Sequence, residues 1–246
     1  MAQYRNFKMI GYVVYGRGCF DQLDEILKPH RKANAPMIFL LDHFFKGKKL
    51  ADRIPLREND EIIYADVTHE PKTSYVDDLS NQLKEKYGSI SGIIGIGGGS
   101  AMDLAKAVSL MMNNPGKAQD YQGWDLVQFP GVYKVGIPTL SGTGAEVSRT
   151  CVLTGPESKR GMNSDFTPFD QFVLDPELIA NAPAEQRFFT GMDCYIHCIE
   201  SLQGTYLNEF SKSYGEKALQ YCRNIFLNDN DWDEKSDEQL MMASYA

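Results

Sequence analysis

Three glycines and a serine, residues 97–100, separate two apolar segments of the sequence. Residues 90–96 are typical of a buried strand, and residues 100–112 have helical periodicity. A turn from a strand into a helix can hold a phosphate, because glycines let the backbone approach the anion and the helix start offers free N–H groups. The spacing matches neither the G-x-G-x-x-G fingerprint nor the P-loop pattern. A tight turn without a ligand is therefore the alternative.

A second polar segment, residues 137–146, follows another predicted strand and reads Ile-Pro-Thr-Leu-Ser-Gly-Thr-Gly-Ala-Glu. Its hydroxyl groups and free N–H groups suit a ribose, a pyrophosphate or an amide. Thr143 and Glu146 also have the spacing of a capping box, so the start of a capped helix is the alternative interpretation.

A carboxylate and an imidazole, Asp193 and His197, are four residues apart in a predicted helix and so share one face. Such a pair can bind one divalent cation, although a simple surface pair is the alternative. Stable metal sites have three or four protein ligands, so this pair alone is incomplete. Cys194 and Cys198 flank the pair, and we expect them to be small buried residues rather than ligands.

The elements that position these residues alternate between strand and helix in the first half of the chain. Strands are predicted over residues 9–14, 37–41, 61–65, 90–96, 132–137 and 172–175, and helices over 19–27, 75–87 and 100–112. From residue 184 the pattern is helical, with helices over 186–203 and 208–227, a charged loop over 228–237 and a last helix from about residue 238. The first pattern predicts a parallel, helix-covered sheet.

We therefore expect an α/β parallel-sheet domain over residues 1–155, followed by an all-helical domain over residues 156–246. The apolar end of the sequence, residues 240–246, indicates that this helical domain is incomplete at its C-terminus.

Composition excludes several other classes of protein. The net charge of -8 lacks the excess of positive charge that binding to nucleic acid or an anionic membrane requires. No apolar run reaches the length of a membrane span, and the N-terminus lacks the pattern of a signal peptide. The five cysteines do not form the pattern of a secreted disulfide framework. We expect a cytoplasmic protein with no nucleic-acid or membrane partner.

Four motifs occur in a fixed order: GGGS-x-x-D-x-A-K at 97–106, P-T-x-x-G-T-G-x-E at 138–146, D-P-E-L at 175–178 and G-x-D-x-x-x-H-x-x-E at 191–200. Together they resemble the iron-containing (group III) alcohol dehydrogenase family. The resemblance implies a Rossmann-like first domain and an oxidoreductase acting on CH–OH, with NAD(P) and Fe²⁺ or Zn²⁺ as cofactors. The metal ion would polarise an alcohol that passes hydride to the nicotinamide. Family members are often homodimers.

The resemblance also assigns roles to individual residues. Those for the pyrophosphate are Gly97, Gly98, Gly99 and Ser100, with Asp103 in the following helix. Asp42 matches an acidic residue that meets the adenosine ribose, and an acid there favours NAD over NADP. Residues on the nicotinamide side are Thr139, Ser141, Gly142 and Thr143, and Lys159 matches a lysine that approaches the cofactor. Asp193 and His197 match two of four metal ligands, and the other two, both histidines, are expected beyond residue 246.

The sequence also departs from the family at Ala145, Phe188, Cys194 and Tyr195, which puts a simple short-chain alcohol in doubt as substrate. Residues 121–125, 191–202 and 208–211 resemble a branch that oxidises the C8 hydroxyl of the sugar acid 3-deoxy-D-manno-octulosonate to an aldehyde in lipopolysaccharide sugar biosynthesis. For that branch, oxygen and NAD(P) both stay open as the final acceptor. The alternatives are a generic NAD(P)-dependent alcohol or diol dehydrogenase and a lyase similar to dehydroquinate synthase. A further alternative is that these 246 residues bind dinucleotide with little turnover.

Overall fold

The computed structural model describes residues 8–205, 207–227 and 232–246. Within these residues the strands are β1 (Tyr12–Tyr15), β2 (Met37–Asp42), β3 (Glu61–Ala65), β4 (Gly92–Gly97), β5 (Gly123–Trp124), β6 (Tyr133–Pro138), β7 (Thr150–Thr154), β8 (Lys159–Asn163) and β9 (Gln171–Leu174). The α-helices are α1 (Leu23–Leu27), α2 (Lys49–Asp52), α3 (Thr73–Tyr87), α4 (Gly99–Asn113), α5 (Pro176–Ala180), α6 (Ala184–Gln203), α7 (Glu209–Phe226) and α8 (Glu234–Tyr245).

A six-stranded parallel sheet, in the order β1-β9-β6-β4-β2-β3, forms the centre of the first part of the chain. Its inner strands are mostly apolar because helices cover both faces, and the buried Lys134 in β6 is a charged exception. In β2, alternate side chains enter opposite cores: Ile38 and Leu40 join the cluster that contains α3 and α4, whereas Phe39 and Leu41 join the cluster under α1. The predicted α/β parallel-sheet fold is confirmed.

The order of the strands places a crevice at one edge of this sheet. From β2 the chain runs outward to β3 and then returns on the other side of β2 as β4. At such a point, where the direction of the strand order reverses, the connections leave the carboxyl ends of neighbouring strands toward opposite faces and open a binding crevice. The carboxyl ends of β2, β4 and β6 therefore bring Asp42, Gly97 and Pro138 to the same edge.

A small second sheet, in the order β5-β8-β7, is the main feature that the sequence interpretation missed. Cys151, Leu153 and Met162 from its hairpin are fully buried against α4. The strand β9 lies in the main sheet between β1 and β6, so sheet structure extends past residue 155. We therefore propose the boundary between the sheet domain and the helices at the end of β9, later than the predicted boundary at residue 155.

Three helices, α6, α7 and α8, pack around a compact apolar cluster in the last part of the chain. The predicted helices over 186–203 and 208–227 correspond to α6 and α7. Helix α8 begins at Glu234, earlier than predicted, because the Asp233 carboxylate accepts a hydrogen bond from the Ser236 N–H and caps the helix. The predicted loop falls partly on residues 228–231, which lie outside the described residues. Among the helices that the structure describes, none is long and apolar enough to cross a membrane.

Candidate cofactor-binding cleft

A cleft of about 660 Å³ opens at the carboxyl edge of the main sheet. Its walls come from the end of β2, the turn between β4 and α4, the loop after β6 and the segment that joins α5 to α6. This volume is within the range of sites that hold small molecules and cofactors. The cleft lies at the reversal of the strand order, where ligands bind in open α/β sheets.

The glycine turn forms one wall of the cleft. Helix α4 begins directly after Gly98, and no side chain caps its first turn. The N–H groups of that turn have no partner within the helix, and Gly98, Gly99 and Ser100 line the cleft. A Cβ on Gly97 would lie 2.6 Å from the Ala101 Cβ, so this position requires glycine. The turn therefore presents an uncapped, positively polarised helix start to the cleft.

The carboxylate of Asp42 lies beside this turn, at the end of β2. Its Oδ1 accepts a hydrogen bond of 2.9 Å from the Phe44 N–H, which fixes the orientation of the carboxylate. A Cβ built on Gly97 would lie 3.0 Å from the Asp42 Cβ. Asp42 and Gly98 both line the cleft, so an acid and an anion-binding turn face the same space.

The loop after β6 forms the opposite wall, through Thr139, Ser141, Gly142 and Thr143. It is attached to the glycine turn by a hydrogen bond of 3.0 Å from the Thr139 N–H to the Gly97 carbonyl. The Ser141 Oγ is buried and has no hydrogen-bond partner among the described residues. A buried hydroxyl without a partner is costly unless a ligand or a water satisfies it.

Helix α8 is hydrogen-bonded to the same loop. The Gly142 N–H donates to the Ser244 Oγ at 2.8 Å, and the Ser244 hydroxyl donates to Glu146 Oε1 at 2.6 Å. Glu146 is fully buried, and burial raises the pKa of its carboxyl group. No helix starts at Thr143, so the alternative of a capped helix is wrong. Glu146 instead anchors the loop through Ser244.

Two predicted cofactor residues lie away from the cleft. Asp103 is turned toward β7, where its Oδ2 accepts a hydrogen bond of 3.0 Å from the Val152 N–H. Its Oδ1 lies 3.9 Å from the Nζ of the fully buried Lys106. Burial raises the pKa of Asp103 to about 6 and lowers that of Lys106. Lys159 lies exposed on β8 and pairs with Glu70. The structure therefore does not bring Asp103 or Lys159 to the cofactor wall.

The proposed metal ligands lie on α6. The Asp193 Oδ1 and the His197 Nε2 are 3.8 Å apart, and about half of each side chain is exposed. Gln186, Phe189 and Thr190 from the same helix line the cleft, although sequence reasoning did not single them out. Because a helix rises 1.5 Å per residue, His197 lies about 10 Å beyond Thr190 along the axis. The pair does not line this cleft, and His197 instead lines a second cavity of about 350 Å³.

The donors and the space fit the two cofactors to different degrees. The uncapped helix start, the glycine cradle, Asp42 and the unpartnered Ser141 hydroxyl suit a dinucleotide. Asp193 and His197 offer ligand types that Fe²⁺ and Zn²⁺ accept, but they are two where a stable site needs three or four. Among the described residues, no third carboxylate or imidazole joins them.

Residues 11–176 match the model of the iron-containing alcohol dehydrogenase family. The chain belongs to this family. The predicted resemblance to the family is thereby confirmed.

Individual relatives agree with this assignment. The chain is 35% identical over 144 residues to a sulfoacetaldehyde reductase of Bilophila wadsworthia. The aligned region covers 58% of this chain and 37% of that protein. It is 32% identical over 203 residues to an NAD-dependent methanol dehydrogenase of Bacillus methanolicus. This aligned region covers 80% of this chain and 52% of that protein. The chain thus spans about half or less of the length of these relatives.

The fold is also that of a solved structure. A sulfoacetaldehyde reductase from Bifidobacterium kashiwanohense, in complex with NAD+, superposes with a TM-score of 0.82 at 21% identity. The match covers 99% of this chain and 66% of that one.

Proposed function

We propose that the full-length protein is an NAD-linked, metal-dependent oxidoreductase that interconverts a primary alcohol and its aldehyde. The observation that carries the proposal is the meeting of an uncapped helix start, a glycine cradle and the Asp42 carboxylate in one cleft. The NAD-dependent methanol dehydrogenase and the NAD+ complex among the relatives support it.

Each wall of the cleft has a task in this proposal. The N–H groups at the start of α4 bind the pyrophosphate, and Asp42 accepts hydrogen bonds from the adenosine ribose. Because a carboxylate repels a 2′-phosphate, Asp42 favours NAD over NADP. The Ser141 hydroxyl and the loop around it orient the nicotinamide end.

The chemistry itself belongs to the cofactors. When bound, NAD+ supplies the hydride acceptor, and a divalent iron or zinc ion supplies a Lewis acid for the alcohol oxygen. Asp193 and His197 would hold that ion together with the two histidines that the family resemblance places beyond residue 246. We therefore expect the 246 residues alone to bind dinucleotide and to turn over substrate poorly.

We propose the C8 hydroxyl of 3-deoxy-D-manno-octulosonate as the substrate group, which makes the protein a 3-deoxy-D-manno-octulosonate 8-oxidase of lipopolysaccharide sugar biosynthesis. The support is the sequence of residues 191–202 and 208–211, which resembles that branch. The proposal also includes a cytoplasmic localisation and a homodimer. Sedimentation of the full-length protein would test the homodimer.

A short-chain alcohol is the second candidate, because the methanol dehydrogenase matches 80% of the chain. Kinetics of NADH formation by the full-length protein, with 3-deoxy-D-manno-octulosonate and with 1,3-propanediol, separate the two candidates. A higher kcat/KM for the sugar acid supports the finer proposal. A higher value for the diol keeps the alcohol dehydrogenase and rejects the sugar acid. No NADH from either compound, with iron or zinc present, contradicts an NAD-linked reaction on either substrate.

A further inference from the structure

Three cysteines from two helices converge in the core of the helical part of the chain. Cys194 and Cys198 are one turn apart on α6, and Cys222 reaches them from α7. Their sulfur atoms all lie within 4.8 Å of one another, and the Cys194 and Cys222 sulfurs are 3.7 Å apart. Within the described ranges, no other group of three or more thiol, imidazole or carboxylate side chains is so close.

From this geometry we propose that Cys194, Cys198 and Cys222 bind one thiophilic metal ion, with Zn²⁺ as the ion that the spacing fits. These three ligands are distinct from the Asp193–His197 pair. A tetrahedral Zn²⁺ site with Zn–S bonds of about 2.3 Å places neighbouring sulfurs about 3.8 Å apart. The Cys194–Cys222 pair already has this separation. A shift of about 1 Å brings the widest possible sulfur pair to the same distance.

The packing around the sulfurs supports a site rather than ordinary filling of a core. Ala218 and Ala243 occupy the same apolar cluster with a single methyl group each. The three thiols, in contrast, point to a common centre and are at most 6% exposed. Soft thiolate ligands in such surroundings select Zn²⁺ or Cu⁺ over hard cations.

The fourth position of the metal has access to a cavity. Cys194 and Cys198 line a space of about 350 Å³ between α6, α7 and α8, and His197 lines the same space. This space can admit the ion and can hold a water molecule as the fourth ligand, as in zinc sites that have three protein ligands. Binding of Zn²⁺ by three thiols releases three protons, and the ion keeps its oxidation state.

The test uses the full-length protein, reduced and freed of metal, in the Asp193→Ala/His197→Ala background so that the predicted catalytic ion cannot contribute. Cd²⁺ is the optical probe, because sulfur-to-metal charge transfer reports thiolate ligation, and competition with Zn²⁺ gives the affinity for zinc. We expect one Cd²⁺ per chain with thiolate absorption. X-ray absorption of the zinc form should show three sulfur neighbours at about 2.3 Å.

Cys→Ala variants of the three positions decide between a site and simple packing. Each of them should weaken binding by at least about 100-fold, since changes in outer-shell partners alone cost 10 to 100-fold. Cys151→Ala, which removes a buried cysteine of β7, is the matched control and should bind as before. Circular dichroism identifies any variant that fails to fold, in which case the other two positions carry the test. Absence of thiolate absorption, or its survival in the folded variants, overturns the proposal.

Discussion

Replacement of Ser244 by alanine should destabilise the protein by about 3 kcal/mol. The Ser244 hydroxyl accepts from the Gly142 N–H at 2.8 Å and donates to Glu146 Oε1 at 2.6 Å. Each of the two buried hydrogen bonds contributes about 1 kcal/mol, and a buried polar partner left unsatisfied costs about 1 kcal/mol more. Glu146 is fully buried and its Oε2 has no partner among the described residues, so the variant removes the side-chain hydrogen bond that this buried carboxyl group receives at Oε1.

The pH dependence of this loss has a definite sign. Burial raises the pKa of Glu146, and the hydrogen bond from Ser244 opposes that rise. Loss of the serine should raise the pKa further, and a raised carboxyl pKa means stability that is lost as the pH increases through it. The deficit of Ser244→Ala should therefore be larger at about pH 8 than at about pH 5.

Denaturant unfolding at these two pH values measures the loss. Ser109→Ala is the matched control, because Ser109 is fully buried and makes one hydrogen bond, of 2.7 Å, to the Val132 carbonyl. It should cost about 1 kcal/mol. In a Glu146→Gln background no carboxyl group titrates at this position, so the loss from Ser244→Ala should be the same at both pH values. The reasoning is refuted if Ser244→Ala costs no more than Ser109→Ala.

Two further changes test the walls of the cleft and the charges behind it. Gly142→Ala would place a Cβ 1.8 Å from the Thr190 carbonyl oxygen, so it should cost about 3 kcal/mol or more in thermal unfolding. Gly16→Ala shares the positive φ but has open space, so it should cost about 1 kcal/mol; equal losses would contradict the steric argument. Because the pKa of Asp103 is raised to about 6, its contribution to stability is present below about pH 4 and is lost as the pH rises through about 6. In the wild type the free energy of unfolding should therefore fall by about 3 kcal/mol over that pH interval, and Asp103→Asn should remove this fall. A pH profile that the substitution leaves unchanged would contradict the raised pKa of Asp103.

Much of the sheet could be predicted because its strands and helices have clear periodicity. Strands β2 and β4 contain long apolar runs, and Asn113-Asn114-Pro115-Gly116 ends α4 as expected. The β7–β8 hairpin was missed because β8 carries Lys159 and Arg160 and is largely exposed. The alternation of buried Cys151 and Leu153 before the turn at residues 155–158 is the signal that could have revealed it.

The cleft was predictable where it depends on the ends of parallel strands. Asp42, the glycine turn and the loop after β6 come together because they follow β2, β4 and β6. Contacts across the chain could not be read from spacing. Ser244 reaches Gly142 over 102 residues, and Cys222 reaches Cys194 over 28. Asp103 lies in the predicted helix, but its carboxylate faces β7 rather than the cleft, which spacing along the chain does not reveal.

The most direct test of the cleft is calorimetric titration of the full-length protein with NADH and NADPH. We expect one NADH per chain and NADPH binding weaker by at least about tenfold. Asp42→Ala should weaken NADH binding about 30-fold, because about 2 kcal/mol of hydrogen bonding to the ribose is lost. The same change should reduce the difference in affinity between NADH and NADPH. Lys159→Ala, which lies outside the cleft, should leave both affinities unchanged. Equal affinity for NADH and NADPH with Asp42 in place, or no binding of either, would contradict the account.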